Sequence, residues 1–182
     1  MGHGANAALP RLRVMNPTPI VVMGVEGSGK STVGLALSER LGYEFIDADG
    51  LHPLANKEKM ASGEPLNDED RLPWLRAVGS RIAEISAFGD SSVTACSALK
   101  RAYRDLLRQY APNLFFAFLD GPLDVVRARV EQRHHEFMPA ALLESQFATL
   151  EPLAPDERGV RIDLRMSPMA QVDEIVKSLP TP

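Results

Sequence analysis

Cysteine is almost absent: Cys96 is the only one in 182 residues. A lone thiol closes no internal disulfide and excludes a cysteine-rich zinc site. Long apolar runs are missing as well. "LFFAFL" (114–119) is strand-sized, against the ~20 residues that a membrane-spanning helix needs. The N-terminus lacks the continuous apolar core of a secretory signal. Basic charge is not in excess, with 20 Lys and Arg against 24 Asp and Glu and a net charge of −4. That balance argues against non-specific binding to nucleic acid or an anionic membrane. Neither an internal repeat nor a low-complexity segment is seen. The expectation is a soluble, cytoplasmic protein.

What is present suits one core. A chain of 182 residues that is 45% hydrophobic can bury a single core well and is short for two. Residues 1–16 carry no sustained period and are expected to form a mobile tail, leaving 17–182 as one domain. From there strands and helices alternate. "TPIVVMG" reads as a buried strand, and "GKSTVGLALSERLG" as a helix closed by Gly42. "YEFIDAD" is a second strand, followed by two helices, "PLANKEKMASG" and "NDEDRLPWLRAVGSRIAEISAFG". Asn67 or Asp68 can cap the longer helix, and Leu75, Val78, Ile82 and Ile85 form its apolar stripe, with Trp74 read as core. "SSVTACS", "LFFAFLDG" and "GVRIDLRM" are three further strands, each followed by helical sequence. This order predicts an α/β fold with a mainly parallel, doubly wound sheet and ligands at the carboxyl ends of its strands.

One stretch carries chemistry outright. In "MGVEGSGKST" (23–32), Gly24, Gly29, Lys30 and Ser31 fit G-x-x-x-x-G-K-[ST], with Gly27 as an extra glycine. The motif lies between a predicted strand and a predicted helix, the context that marks a phosphate-binding loop. Without side chains, backbone N–H groups can close on phosphate oxygens at a helix N-terminus. Gly24, Gly27, Ser28, Gly29, Lys30, Ser31 and Thr32 are the expected nucleotide-binding residues, with Lys30 reaching the β- and γ-phosphates and Ser31 offering its hydroxyl to Mg²⁺. A guanine-reading N-K-x-D is absent, since "NKEK" ends in lysine. Asp120 ends a strand as a Walker-B aspartate would, but "LDGP" is equally a turn, and we read it as the turn.

The second substrate is expected beside that loop. Asp47 and Asp49, two apart in "DADGLHP", would project from one side of an extended chain. One carboxylate can then hold Mg²⁺ through water, assigned to Asp47, and the other can accept a proton from an attacking hydroxyl, assigned to Asp49. His52 and Arg71 follow in the helical segment of about 50–90. Cys96 reads as a small strand filler. "HHEFM" is no zinc motif, because Pro139 stands where H-E-x-x-H needs its second histidine.

"MGVEGSGKST", "DADGLHP", "NKEKMASGEPLNDEDRLPWL", "CSALKRAYRDLLR" and "ESQFATLEP" resemble, in that order, the gluconokinase family of P-loop D-gluconate 6-kinases, over residues 18–178. The resemblance implies a three-layer P-loop kinase-like fold with a helical substrate-binding insertion and a mobile lid at about 127–140. It implies ATP with Mg²⁺, D-gluconate as acceptor, and a homodimer. A polyol acid needs a cation and hydrogen-bonding groups, which Arg71, His52 and Lys100 can supply, with Asp49 as base. Tyr103 and Arg104 either line the pocket or decorate a helix. Arg129 and Arg133, four apart on a predicted helix, are expected to close over ATP as lid residues. The chain departs from the family pattern Arg-x-Gly-His-Phe, reading Arg133-His134-His135-Glu136-Phe137. His135 is expected to take the missing histidine's place, with Glu136 turned to solvent. The rival readings are a similar kinase for shikimate or a nucleoside monophosphate, and an ATP-binding regulatory module without catalysis.

Overall fold

Four apolar residues in a row, Ile20–Met23, form β1 at the centre of the sheet, and all four are fully buried. The computed structural model describes residues 17–133 and 139–181, so the expected N-terminal tail and residues 134–138, with His135 and Glu136, lie outside the described residues. β2 (Glu44–Asp47), β3 (Ser92–Ala95), β4 (Phe115–Asp120) and β5 (Gly159–Asp163) complete a sheet of order β2-β3-β1-β4-β5 in which every pair is parallel. Parallel pairing needs crossovers, and helices supply them, which buries the inner strands on both faces and accounts for the continuous apolar runs of β1 and β4. β5, at the edge, alternates instead: Ile162 is buried while Arg161 and Asp163 are exposed.

The crossovers are α1 (Lys30–Leu41), the pair α2 (Leu54–Ala61) and α3 (Asp68–Ala87), α4 (Arg101–Tyr110), and the pair α5 (Leu123–Gln132) and α6 (Ala140–Thr149), with α7 (Pro168–Ser178) last. Gly42 ends α1 in the left-handed conformation, φ 68°. Asn67 starts α3 with a capping box, its side chain accepting from the Asp70 N–H while the Asp70 carboxylate accepts from the Asn67 N–H. Pro73 cannot donate to the turn before it, yet α3 runs on. Burial decides this: Leu75, Val78 and Ile82 are fully buried and Ile85 nearly so, holding the stripe against the core. Among the described residues no helix is long and apolar enough to cross a membrane.

The order places β1 between β3 and β4, where the direction of chain crossover reverses. A crevice opens there at the carboxyl ends of the strands. The loop after β1, the turn after β2 and the N-terminus of α3 all lead to it.

Candidate active site

After β1 the backbone turns through three glycines with positive φ: Gly24 at 151°, Gly27 at 78° and Gly29 at 96°. A Cβ on Gly24 would stand 2.7 Å from Ser28 Oγ and 2.9 Å from the Leu119 carbonyl oxygen, so a side chain is excluded twice over. Gly29 caps α1 with no side chain over the first-turn N–H groups. Those donors and the positive end of the helix dipole face outward, as an anion site requires. Ser28 Oγ is buried with no hydrogen-bond partner among the described residues. Ser31 and Thr32 are exposed. Lys30 folds inward, its Nζ donating to the Val25 carbonyl at 2.9 Å, and it is buried.

Beside the loop lies a cavity of about 310 Å³ whose walls include Lys30, Asp49, His52, Arg71, Trp74 and Gln146. The structure thus brings Lys30, Asp49, His52 and Arg71 together from β1–α1, the β2 turn and α3. Asp49 arrives differently from expectation. β2 stops at Asp47, and Ala48–Leu51 form a 3-10 turn. Asp47 caps that turn, Oδ1 accepting from the Asp49 N–H at 3.1 Å. The two carboxylates therefore do not share one side of a strand. Asp49 lines the cavity, while Asp47 is exposed beside it.

His52 is buried and stacked on Trp74, ring centroids 4.1 Å apart and planes 12° from parallel. Trp74 is held in turn by its Nε1–H, which donates to the Ala48 carbonyl at 2.7 Å. Burial first, then the nearby charges of Arg71 and Lys57, push the His52 pKa down to about 4. The imidazole is therefore neutral at physiological pH. Arg71 is buried except for its cavity face and donates from Nη1 to the Tyr103 hydroxyl at 3.1 Å. Tyr103 donates to Asp68 Oδ1, so it orients Arg71 from behind and does not line the cavity.

Four expected site residues lie off the cavity wall. Lys100 lies outside the cavity wall and pairs with Asp68 at 2.9 Å, joining the N-termini of α4 and α3. Arg104 has no exposed surface. Its Nε and Nη2 donate to the two oxygens of Glu157 at 2.8 and 2.9 Å, and Nη1 reaches the Ala98 and Glu151 carbonyls. It is a buried arginine held entirely by protein acceptors. Arg133 is the C-cap of α5, with φ −83° and ψ 96°. Arg129 donates to the Leu164 carbonyl at 2.6 Å, and neither arginine lines the cavity. Asp120 pairs with Arg161 on β5.

Sequence reasoning missed the α6 wall. Gln146 Oε1 accepts from the Glu26 N–H at 2.7 Å, docking α6 on the phosphate loop, and Ser145 and Leu142 stand beside it. "ESQFATLEP" was the only signal for it. Trp74, expected as core, is buried and is also cavity wall. Among the described residues no group of three or more His, Cys, Asp or Glu gathers to hold a metal ion. A Mg²⁺ ion here would rest on Ser31 and on phosphate oxygens, which suits its preference for keeping waters and substrate phosphates as ligands.

Comparison with known proteins agrees with this geometry. The family model described as Shikimate kinase matches residues 26–178. A probable gluconokinase of Xenopus tropicalis is 44% identical over 171 residues, covering 86% of this chain and 90% of the relative. The thermoresistant gluconokinase of Escherichia coli K12 is 46% identical over 142 residues, covering 78% and 81%. The crystal structure of a gluconokinase from Sinorhizobium meliloti 1021 superposes with a TM-score of 0.82 at 47% identity, covering 89% of this chain and 91% of that one.

Proposed function

The chain belongs to the gluconokinase family within the shikimate-kinase-like P-loop kinases, and we propose that it transfers the γ-phosphoryl group of ATP to the 6-hydroxyl of D-gluconate, giving 6-phosphogluconate and ADP. The observation that carries this is the cavity itself, whose lining gathers Lys30, Asp49, Arg71 and His52. One wall offers a cation and a neutral imidazole for a carboxylate and its hydroxyls. The other offers a carboxylate beside the phosphate loop.

In this reading gluconate lies with its carboxylate on Arg71 and its far hydroxyl toward Asp49. Asp49 accepts the proton of the 6-hydroxyl as that oxygen forms its bond to the γ-phosphorus. The bond from the γ-phosphorus to the bridging oxygen breaks, and its electron pair leaves with ADP. Lys30 and the first-turn N–H groups of α1 stabilise the charge spread over the transferring group. Mg²⁺, held by Ser31, would neutralise β- and γ-phosphate oxygens when bound. Arg129 and Arg133 lie within the 127–140 segment, and in this reading they and His135 serve as its lid residues. The family reading also carries a homodimer, which sedimentation would measure, and a cytoplasmic location, where ATP and a sugar acid are both at hand.

The test is ATP consumption with D-gluconate, shikimate and AMP as separate acceptors. Turnover should be greatest with gluconate, and the product should be oxidised by 6-phosphogluconate dehydrogenase. Faster turnover with shikimate would reassign the acceptor. ATP binding without transfer to any of the three would favour a regulatory module.

A further inference from the structure

The hydrogen bonds behind His52 determine its chemistry as well as its position. Asn56, on the first turn of α2, is itself buried. Its Nδ2 lies 2.8 Å from the Asp70 carbonyl oxygen and 3.2 Å from His52 Nδ1. A carbonyl oxygen only accepts, so the amide must present nitrogen there, and the usual ambiguity between the two ends of an asparagine is removed. The second hydrogen on that nitrogen is directed at His52 Nδ1, which must accept it with its lone pair. A neutral ring with an accepting Nδ1 carries its proton on Nε2. Nε2 makes no hydrogen bond within the described residues, and His52 lines the cavity.

We propose that Asn56 is a positioning residue that holds His52 as a neutral Nε2–H donor, so that His52 recognises the acceptor substrate by donating a hydrogen bond to one of its oxygens and acts as neither base nor cation. The Trp74 stack prevents the ring from turning over to exchange its two nitrogens. An imidazolium would set an N–H at Nδ1 against the Asn56 N–H, with Arg71 and Lys57 opposing the added charge and Lys30 also on the cavity wall, against the carboxylates of Asp49 and Glu26 there. The cavity is thereby polarised. Arg71 and His52 both donate and Asp49 accepts, so a sugar acid has one favoured direction in it.

This deepens the proposed function and rests on it for the substrate, whereas the state of His52 can be read without any acceptor present. In the ¹⁵N-labelled full chain at pH 7, long-range ¹H–¹⁵N correlation should show His52 with an unprotonated Nδ1 and a protonated Nε2. The signal is assigned by its loss in His52→Gln. The opposite tautomer, or an imidazolium, would overturn the proposal with no mutation of Asn56 needed. Asn56→Asp replaces both donors with acceptors. It should move the His52 proton to Nδ1, raise the KM for gluconate about tenfold as one directed hydrogen bond is lost, and leave the KM for ATP unchanged. An unchanged tautomer and an unchanged gluconate KM in that variant would refute the positioning role. If the tautomer is as stated and gluconate is not phosphorylated, the choice of substrate fails and the lock stands.

Discussion

Lys30 donates to the Val25 carbonyl at 2.9 Å from a buried position, so truncating it to alanine would remove packing together with charge. Lys30→Met keeps most of the stem and is the cleaner probe. We expect kcat to fall on the order of 10²-fold or more, with the thermal midpoint close to wild type. Near-normal turnover in the folded variant would end the assignment of the loop. Asp49 makes a complementary prediction. Asp49→Asn keeps the shape and loses the proton acceptor, so kcat should fall on the order of 10²–10⁴-fold while ATP affinity holds. Were only gluconate KM to change, Asp49 would be a binding group and the base would lie elsewhere.

The strand pair β4–β5 depends on a close approach that only one residue type permits. Gly159 faces the Phe116 carbonyl across the ladder, and a Cβ there would overlap that backbone oxygen and the Leu153 side chain. A backbone carbonyl inside a sheet cannot move aside as a side-chain end can. Gly159→Ala should therefore destabilise the protein by roughly 1–3 kcal/mol, the usual range for overpacking, measured by chemical denaturation. A midpoint equal to wild type would mean that β5 shifts without penalty. The effect should leave KM values near wild type, because the cavity wall is built from the loop after β1, the turn after β2, α2, α3, the segment after β3 and α6, and not from β5.

Across the whole molecule, a buried ionic knot ties α4 to the loop leading into β5. Glu157 accepts from Arg104, from Arg108 at 2.6 Å and from the Ala154 N–H at 2.8 Å. Burial alone would raise its pKa, but the hydrogen bonds from Arg104, Ala154 and Arg108 prevail and hold it at about 2, against an ordinary value of 4.5. Between those values the unfolded chain takes up the proton that the folded chain refuses. The stabilisation from Glu157 is thus complete above about 4.5 and is lost as the pH falls through about 2. Glu157→Gln leaves Arg104 buried without its counter-charge and should cost on the order of 3 kcal/mol at neutral pH. It should also flatten the decline of stability in that acid window, with Asp163, also held at about 2 by Arg165, still contributing there. An acid denaturation series on both proteins measures the difference. Equal slopes would mean that Glu157 titrates alike in both states.

The sequence by itself determined whatever depends on near neighbours in the chain. Gly24, Gly29, Lys30 and Ser31 announce a phosphate loop because its geometry is local, and Asn67 announces the start of α3 because a cap reaches only three residues onward. The strand–helix alternation determined the α/β class for the same reason, through the period of each segment. The tertiary structure decided what depends on residues far apart. Lys100, the N-cap of α4, and Arg104, one turn into it, both look like candidates for an anion, yet Asp68 claims one and Glu157 the other, from 32 and 53 positions away. Spacing could not show that Asp47 ends β2 as a cap while Asp49 lines the cavity, because that depends on where β2 stops pairing with β3 and the 3-10 turn begins. Nor could it assign the proton on His52, which follows from an amide nitrogen fixed by the Asp70 carbonyl 14 residues beyond it. Charge and hydrogen-bond partners are chosen by packing, and packing is not periodic in the chain.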